Sequence, residues 1–240
     1  MLETDLRRFR LRKLNTDEFR HLKLLIFWPI FGLFFTFVER FYNVGHYYSM
    51  HCPLDDMIPF CEYFIIPYLL WFPYMLLAVI YFVFFNKNKH EYYQLAFNLM
   101  TGMTIFLIVS YVYPNAQHLR PAEFPRNNLF TSIVKWLYKT DTPTNILPSI
   151  HVFNSFAVHM SLTNCEALRN RKGIRIASLT LTTLIIMSTM LLKQHSVIDV
   201  CMGATLALFG YLVFYPERFH AVSRSRVSYA SETGHNNNEN

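Results

Sequence analysis

Six long apolar runs constrain the fold of this chain more than any other feature. A helix needs about 20 predominantly apolar residues to cross a hydrocarbon core about 30 Å thick. Of the 240 residues, 52% are hydrophobic and only 16% are charged. The sequence therefore predicts an all-α integral membrane bundle of six transmembrane helices. The six runs are Leu22–Phe41, Tyr63–Phe85, Leu95–Tyr113, Ile150–Thr163, Ile174–Leu192 and Val197–Tyr215.

The first and fourth runs need separate comment. The first is too long for the apolar part of a cleaved signal peptide and lacks a small-residue cleavage site, so we expect it to be a retained span. The fourth is short, and Asn154 and Ser155 interrupt its apolar character. Its assignment as a span depends partly on the topology that the basic residues predict.

The basic residues predict the orientation of the bundle. If both termini are cytoplasmic, most lysines and arginines fall on the cytoplasmic side, as the positive-inside rule requires. The net charge of +6 is therefore interpreted as a topology signal, and no nucleic-acid partner is expected. We predict a multi-pass protein of the plasma membrane with its active site facing outside. The outer face receives Arg120, Arg126, Lys135, Lys139 and Lys193.

The same topology divides the chain into three parts. Residues 1–21 form a basic cytoplasmic arm, residues 22–216 the six-span domain, and residues 217–240 a Ser- and Asn-rich cytoplasmic tail that we expect to be disordered. Cys52 and Cys61 share the first outer loop, where an oxidising compartment would permit a disulfide. Asp55 and Asp56 of that loop are assigned to a short interfacial segment.

Three polar clusters fall on the predicted outer face. They occupy residues 113–121, 147–151 and 193–199. In the last of these, His195 and Asp199 are four residues apart, a spacing that places two side chains on one face of a helix. Asp199 would then accept the Nδ1 proton of His195 and leave Nε2 free to react.

These clusters predict phosphoryl transfer. Arg120 offers a planar fork of donors for phosphate oxygens, and Lys193 offers a point charge. His195 would attack phosphorus, and His151 would give a proton to the departing oxygen. Ser149 would donate a hydrogen bond to the charge that develops on the phosphoryl oxygens. Both histidines are predicted at helix N-termini, which favour anions.

Each of these residues also has a purely structural interpretation. Arg120 would then be an interfacial anchor, Ser149 a helix N-cap, His151 a hydrated helix-end residue and Lys193 a side chain extended toward lipid headgroups. Asp141 and Glu123 are interpreted as solvated loop charges.

Taken together, the clusters resemble the type 2 phosphatidic acid phosphatase superfamily. Arg120-Pro121 matches the end of its first motif, Pro148-Ser149-Ile150-His151 its second, and Ser188, His195 and Asp199 its third. The resemblance covers the six-span core, from about Leu22 to Tyr215, and implies a phosphate-binding role for Ser188. It agrees with the phosphohistidine intermediate that attack by His195 would form.

Three positions depart from the motifs of this family. Tyr113 stands in place of a lysine, Ile150 in place of a glycine and Thr189 in place of an arginine. Lys193 lies one helical turn from Thr189, where it would restore one charge. A second motif without glycine resembles the branch of inositol phosphorylceramide synthases and related lipid phosphotransferases.

Three functions remain open from the sequence. The first is a lipid phosphatase acting on phosphatidic acid, a polyprenyl diphosphate or a similar lipid phosphate. The second is a lipid phosphotransferase that passes a phospho-headgroup to an alcohol acceptor, and the third is a non-catalytic membrane scaffold. The expected partners are the bilayer and a lipid phosphate, with the oligomeric state left open. Neither a metal nor another cofactor is expected.

Overall fold

A computed structural model describes residues 10–42 and 44–216 of the chain, and these residues are mostly helical. The first nine residues of the predicted basic arm and the predicted tail at 217–240 lie outside the described residues. Five helical segments are long and apolar enough to cross a membrane, in agreement with a multi-pass membrane protein. They are Arg20–Arg40, Glu62–Phe84, Lys89–Val112, Lys172–Leu191 and Val197–Phe214.

Eight α-helices and two short strands make up the described part of the chain. The helices are α1 (Phe27–Arg40, preceded by a 3₁₀ segment at Arg20–Ile26), α2 (Pro53–Met57), α3 (Ile65–Phe84, preceded by a 3₁₀ turn at Glu62–Phe64), α4 (Lys89–Val112), α5 (Leu129–Thr140), α6 (Ile150–Asn164), α7 (Lys172–Leu191) and α8 (Val197–Phe214). Strands β1 (Tyr48–Ser49) and β2 (Asn115–Ala116) pair in parallel.

The fourth apolar run forms a helix, but this helix is not among the five candidate spans. Helix α6 has 15 residues, which corresponds to about 22 Å. It packs against α3, α4, α7 and α8, so protein surrounds it on several sides. The buried side chains of Asn154, Ser155 and Ser161 are therefore placed against other helices. This central position explains why α6 is shorter and more polar than its neighbours.

The outward faces of the bundle are strongly apolar. Leu33, Phe72 and Leu77 have exposed fractions of 73%, 58% and 64%, respectively. Apolar surface of this extent is rare on soluble monomers and is typical of helices that lipid covers. Inside the bundle, Phe153 of α6 packs in a core with Leu95 and Leu99 of α4.

A glycine in α8 allows two central helices to approach closely. A β-carbon at Gly203 would lie 2.6 Å from the carbonyl oxygen of Ser149, which no side chain could tolerate without movement of the backbone. The backbone N–H of Ser149 in turn donates a hydrogen bond to the carbonyl oxygen of Asp199, at 3.1 Å. The beginnings of α6 and α8 are thus held together, and each carries a residue of the predicted site.

Candidate active site

A cavity of about 410 Å³ lies between α1 and α3. Met103 and Phe106 of α4 form part of its wall, and Leu69 and Phe72 of α3 extend it to the outer surface of the bundle. Its lining is apolar along α1 and α3 and polar at one end. The polar end is lined by Glu39, Asp141, Asn145, His151, Gln194 and His195.

Both predicted catalytic histidines lie at this polar end. Nε2 of His195 is 3.3 Å from Nδ1 of His151. The ring of His151 packs against Trp71 and Tyr68, with centroid distances of 4.3 and 4.7 Å. His195 has an exposed fraction of only 7%. The imidazole of His195 is thus largely removed from water, and aromatic packing holds the ring of His151.

The end of α7 determines the position of His195. Lys193 adopts φ = 52°, in the left-handed region, and this ends the helix. The N–H groups of Gln194 and His195 then donate to the carbonyl oxygen of Thr189, at 2.9 and 3.1 Å. His195 therefore precedes α8, which begins only at Val197. The predicted helical i, i+4 pair of His195 and Asp199 is not present in that form.

A capping box brings Asp199 to His195 instead. Ser196 is the N-cap of α8, and Oδ2 of Asp199 accepts a hydrogen bond from its backbone N–H at 2.8 Å. The same oxygen lies 3.6 Å from Nδ1 of His195, which is longer than a hydrogen bond. Within the described part of the chain, Nδ1 of His195 and Oδ1 of Asp199 have no hydrogen-bond partner. A small movement of the ring would bring Nδ1 of His195 within hydrogen-bond distance of Oδ2 of Asp199.

Asp55 fixes this corner of the site, although the sequence assigned it to an interfacial segment. Its carboxylate accepts hydrogen bonds from the Ser196 hydroxyl at 2.6 Å and from the N–H groups of Val197 and Cys52 at 2.8 Å. Burial alone would raise the pKa of Asp55, but these hydrogen bonds outweigh it and lower the pKa. No local pattern connects position 55 with position 196, so sequence reasoning missed this contact.

Arg120 lies behind the cavity and does not line it. Its guanidinium donates to the carbonyl oxygens of Tyr138 and Asp141, at 3.0 and 2.8 Å, and to Oε1 of Gln194, at 2.6 Å. The guanidinium also covers the ring of Tyr138 at 4.4 Å. Burial lowers the pKa of Arg120, an effect that Asp141 and Tyr138 oppose. In this arrangement Arg120 joins the end of α5 to the loop that carries His195.

The other three predicted phosphate-binding residues also have protein partners. Nζ of Lys193 donates to the carbonyl oxygens of Asp55 and Ile58, at 2.6 and 2.5 Å. Ser188 is fully buried, and its hydroxyl donates to the carbonyl oxygen of Ile185. Ser149 is the N-cap of α6. The structure therefore brings together the two histidines and Asp199, whereas Lys193 and Ser188 do not line the cavity.

The positions that depart from the family motifs have separate surroundings. The ring of Tyr113 stacks on Tyr48 with a centroid distance of 4.3 Å, outside the cavity lining. Ile150 lines the cavity beside His151. The hydroxyl of Thr189 donates to the carbonyl oxygen of Ile186 at 2.7 Å.

The candidate disulfide between Cys52 and Cys61 is not formed in the structure. Both thiols are free. Cys52 is the N-cap of α2. The backbone N–H of Cys61 donates to the carbonyl oxygen of Leu191 at 2.9 Å. The two cysteines thus have different structural roles, Cys52 at the beginning of α2 and Cys61 in a backbone contact with the end of α7.

Two carboxylates at the polar end were not predicted as site residues. Asp141 was interpreted as a solvated loop charge, but it lines the cavity and accepts a hydrogen bond from the Tyr68 hydroxyl at 3.1 Å. Burial raises the pKa of Asp141, and the nearby His195, Tyr68 and Arg120 only partly offset this. Glu39 of α1 lines the same end. Glu39 lies within the first apolar run of the sequence. An ionisable side chain inside a predicted span is costly and often functional, and this could have identified Glu39 as a site residue.

Asn115 and Gln117 of the first polar cluster tie the three clusters together. Oδ1 of Asn115 accepts hydrogen bonds from the backbone N–H groups of Ile146 and Leu147, at 2.8 and 3.0 Å. Nε2 of Gln117 donates to the carbonyl oxygen of Lys193 at 2.9 Å. All three predicted clusters therefore meet at one end of the bundle.

Neither a metal site nor a known relative helps to identify this site. In residues 10–42 and 44–216, no group of three or more His, Cys, Asp or Glu side chains is arranged to hold a metal ion. Comparisons of the chain with known protein families, with curated proteins and with solved structures find no match.

Proposed function

We propose that this protein is a membrane enzyme that cleaves a lipid phosphate ester through a phosphohistidine intermediate. One observation carries the proposal: two imidazoles with nitrogens 3.3 Å apart lie at the polar end of a cavity whose remaining walls are largely apolar. Such a cavity suits a molecule with a phosphate at one end and hydrocarbon at the other. The motif resemblance to type 2 phosphatidic acid phosphatases supports the same function.

The apolar part of the cavity is long enough to hold part of an acyl chain. Trp28, Phe31 and Phe35 of α1 all line it. From Trp28 to Phe35 the helix rises by about 10 Å. The lipid would enter laterally past Phe72, which is exposed on the face that the bilayer covers.

The proposed reaction has two steps, formation of the phosphohistidine and its resolution. Nε2 of His195 attacks phosphorus, the bond from phosphorus to the lipid oxygen breaks, and His151 gives its proton to that oxygen. Water or an alcohol then attacks phosphorus, returns a proton to His151 and releases His195. Asp199 stabilises the Nδ1 proton of His195 after the ring closes the 3.6 Å gap. The rings must also separate, because their direct contact leaves no room for a phosphoryl group between them.

The membrane arrangement is part of the same proposal. Helix α6 would serve as the sixth, shorter span at the centre of the bundle, with both termini in the cytoplasm. The end formed by the three loop clusters would face the outside of the plasma membrane. The distribution of lysine and arginine along the chain supports this orientation.

A lipid phosphotransferase acting on a phosphodiester is the second candidate, and the charge of the cavity favours it. Glu39 and Asp141 line the polar end, whereas no lysine or arginine of the described ranges lines it. A phosphate monoester carries up to two negative charges and would be repelled by the carboxylates. A diester carries one. An alcohol acceptor would then take the place of water in the second step.

The test is an assay of the purified full chain with a panel of lipids. The panel contains phosphatidic acid, a polyprenyl diphosphate and phosphodiester lipids, each with and without an alcohol acceptor. Free phosphate, phosphorylated headgroup and new lipid products are followed together. We expect product from wild type and from Glu123→Gln, an exposed control, and none from His195→Ala. A wild-type protein that converts none of these lipids would point to the non-catalytic scaffold instead.

A further inference from the structure

The polar groups at the end of the cavity are of two chemical kinds, which we call the donor side and the acceptor side. The donor side consists of the imidazole of His151 and the amide of Gln194, and Nε2 of His195, the proposed nucleophile, lies 3.3 Å from Nδ1 of His151. The acceptor side consists of the carboxylates of Glu39 and Asp141 and the amide oxygen of Asn145. All of these residues line the cavity.

Arg120 determines which atom of Gln194 is available on the donor side. Its guanidinium donates to Oε1 of Gln194 at 2.6 Å, and this contact fixes the orientation of the amide. Nε2 of Gln194 then has no hydrogen-bond partner within residues 10–42 and 44–216. Gln194 is only 3% exposed. A buried donor without an acceptor is costly, and an anionic oxygen of a ligand would satisfy it.

The acceptor side also has atoms that lack hydrogen-bond donors. Oδ1 of Asn145 is buried without a partner among the described residues, and Asn145 is 6% exposed. Among the described residues, Glu39 accepts only two long hydrogen bonds, from the hydroxyl of Thr144 at 3.4 Å and from the amide nitrogen of Asn145 at 3.5 Å. Asp141 accepts a bond from Tyr68, but a carboxylate can accept several more.

Among the described residues, neither nearby guanidinium group donates a hydrogen bond to these carboxylates, although the charges of Arg120 and Arg40 partly offset the effect of burial on the pKa of Asp141. Arg40 donates to the carbonyl oxygen of Thr140 at 2.7 Å, and Arg120 donates to the backbone carbonyls of Tyr138 and Asp141. Burial already raises the pKa of Asp141 in the ligand-free structure. A cation bound between the two carboxylates would offset the cost of holding them in a poorly solvated cavity.

We infer that the acceptor side binds a primary ammonium group, so that the substrate is a zwitterionic phosphodiester lipid of the phosphatidylethanolamine type. This inference rests on the proposed function and specifies its substrate class. The diester oxygens would accept from Gln194 and His151, while the ammonium donates to Glu39, Asp141 and Asn145. The two sides of the cavity then match the adjacent negative and positive charges of one headgroup.

The available groups favour a primary ammonium over a quaternary one. Carboxylate and amide oxygens require N–H donors, and a quaternary ammonium has none. Quaternary groups are instead bound by the faces of aromatic rings. The rings of Trp71 and Tyr68 already pack against His151. On α1, the ring of Phe35, one turn before Glu39, already packs against Phe31 and Phe106.

Binding of unreactive lipid analogues tests this inference separately from catalysis. The probes are short-chain phosphonate analogues of phosphatidylethanolamine, phosphatidylcholine and phosphatidylglycerol, in which carbon replaces the scissile oxygen. We expect the full-length wild-type protein to bind the ethanolamine analogue at least about tenfold more tightly than the glycerol and choline analogues. In Glu39→Gln and Asp141→Asn, the preference should fall to within about twofold.

Matched controls separate this inference from the proposed function. Glu123→Gln removes an exposed carboxylate and should keep the full preference, and thermal unfolding shows whether each variant is folded. Equal binding of the three analogues by wild type would overturn the inference. So would a folded Glu39→Gln or Asp141→Asn protein that keeps the wild-type preference for the ethanolamine analogue. Selective binding of the ethanolamine analogue without turnover of any lipid would support the headgroup site and overturn the proposed function.

Discussion

The polar end of the cavity and the loop shell that closes it both contain ionisable groups, but their hydrogen bonding differs. We define the loop shell by Asp55, Arg120 and Lys193, each of which contacts at least two protein groups, although Nε of Arg120 has no partner among the described residues. In the cavity, Nε2 of Gln194 and Oδ1 of Asn145 have no partner among the described residues, and both lie where a ligand would bind. Residues of the shell therefore position the site, whereas those of the cavity are available to a ligand.

The two basic residues of the loop shell have other contacts than the sequence predicted. From the sequence, Arg120 and Lys193 were predicted to neutralise phosphate. In the structure both bind backbone carbonyls, and Arg120 also orients the amide of Gln194. A donor with a fixed orientation can replace a missing cation when the ligand carries a single negative charge. Variants at five positions test the difference between cavity and shell.

Replacement of a cavity histidine should have the largest effect. We expect His195→Ala and His151→Ala each to reduce turnover by at least about a thousandfold, because each removes a group that forms or breaks a bond. Both proteins should still fold and insert, as circular dichroism and size-exclusion chromatography would show. Turnover within tenfold of wild type in either variant would contradict the proposed roles.

Removal of Arg120 should weaken the fold as well as the activity. Arg120→Ala deletes three hydrogen bonds of a partly buried guanidinium, which we expect to lower the free energy of unfolding by about 2–4 kcal/mol. Arg120→Lys should not restore stability, since an ammonium lacks the planar fork. An unchanged melting temperature with only a raised KM would show instead that Arg120 binds substrate.

Asp55→Asn should cost about 1–3 kcal/mol of unfolding free energy, because the cap of α8 loses a charged acceptor. Because folding lowers the pKa of Asp55, the contribution of its carboxylate to the free energy of unfolding depends on pH. This contribution is complete at neutral pH, which is above the pKa of Asp55 in the unfolded chain. It is lost as the pH falls through the lower pKa of Asp55 in the folded protein. Denaturant unfolding near neutral pH and below about pH 4 should therefore show the two proteins converging in acid. A constant difference between them would refute this origin.

Lys193→Met should have the smallest effect. The loss of two hydrogen bonds to carbonyl groups should reduce the free energy of unfolding by about 1 kcal/mol and leave KM within about twofold. Steady-state kinetics on the best lipid of the panel would measure this. A tenfold increase in KM would show that Lys193 binds the phosphate of the substrate, and would contradict its assignment to the loop shell.

The helical class and the multi-pass membrane character could be predicted from the sequence, because runs of apolar residues have few other solutions. Five of the six runs correspond to candidate spans in the structure. The exception is α6, whose polar residues are explained by packing inside the bundle and not by contact with lipid. Whether it counts as a sixth span remains part of the proposal.

The site was less accessible to sequence reasoning, since its contacts join residues far apart in the chain. Local motifs identified His151, His195 and Asp199, which the structure brings together. The same reasoning could not show that Arg120 bonds to Gln194, because that contact depends on how α5 packs. It also treated Asp141 as a solvated charge, since burial in a cavity leaves no local pattern.

The most direct test of the central claim is to trap the covalent intermediate. Wild-type protein and His195→Ala are mixed with a lipid labelled at phosphorus, quenched in alkali within one turnover and analysed by mass spectrometry. We predict that the label is found on His195 of the wild type and is absent from the variant. Product formation by the wild type with the label on another residue, or on none, would contradict the account.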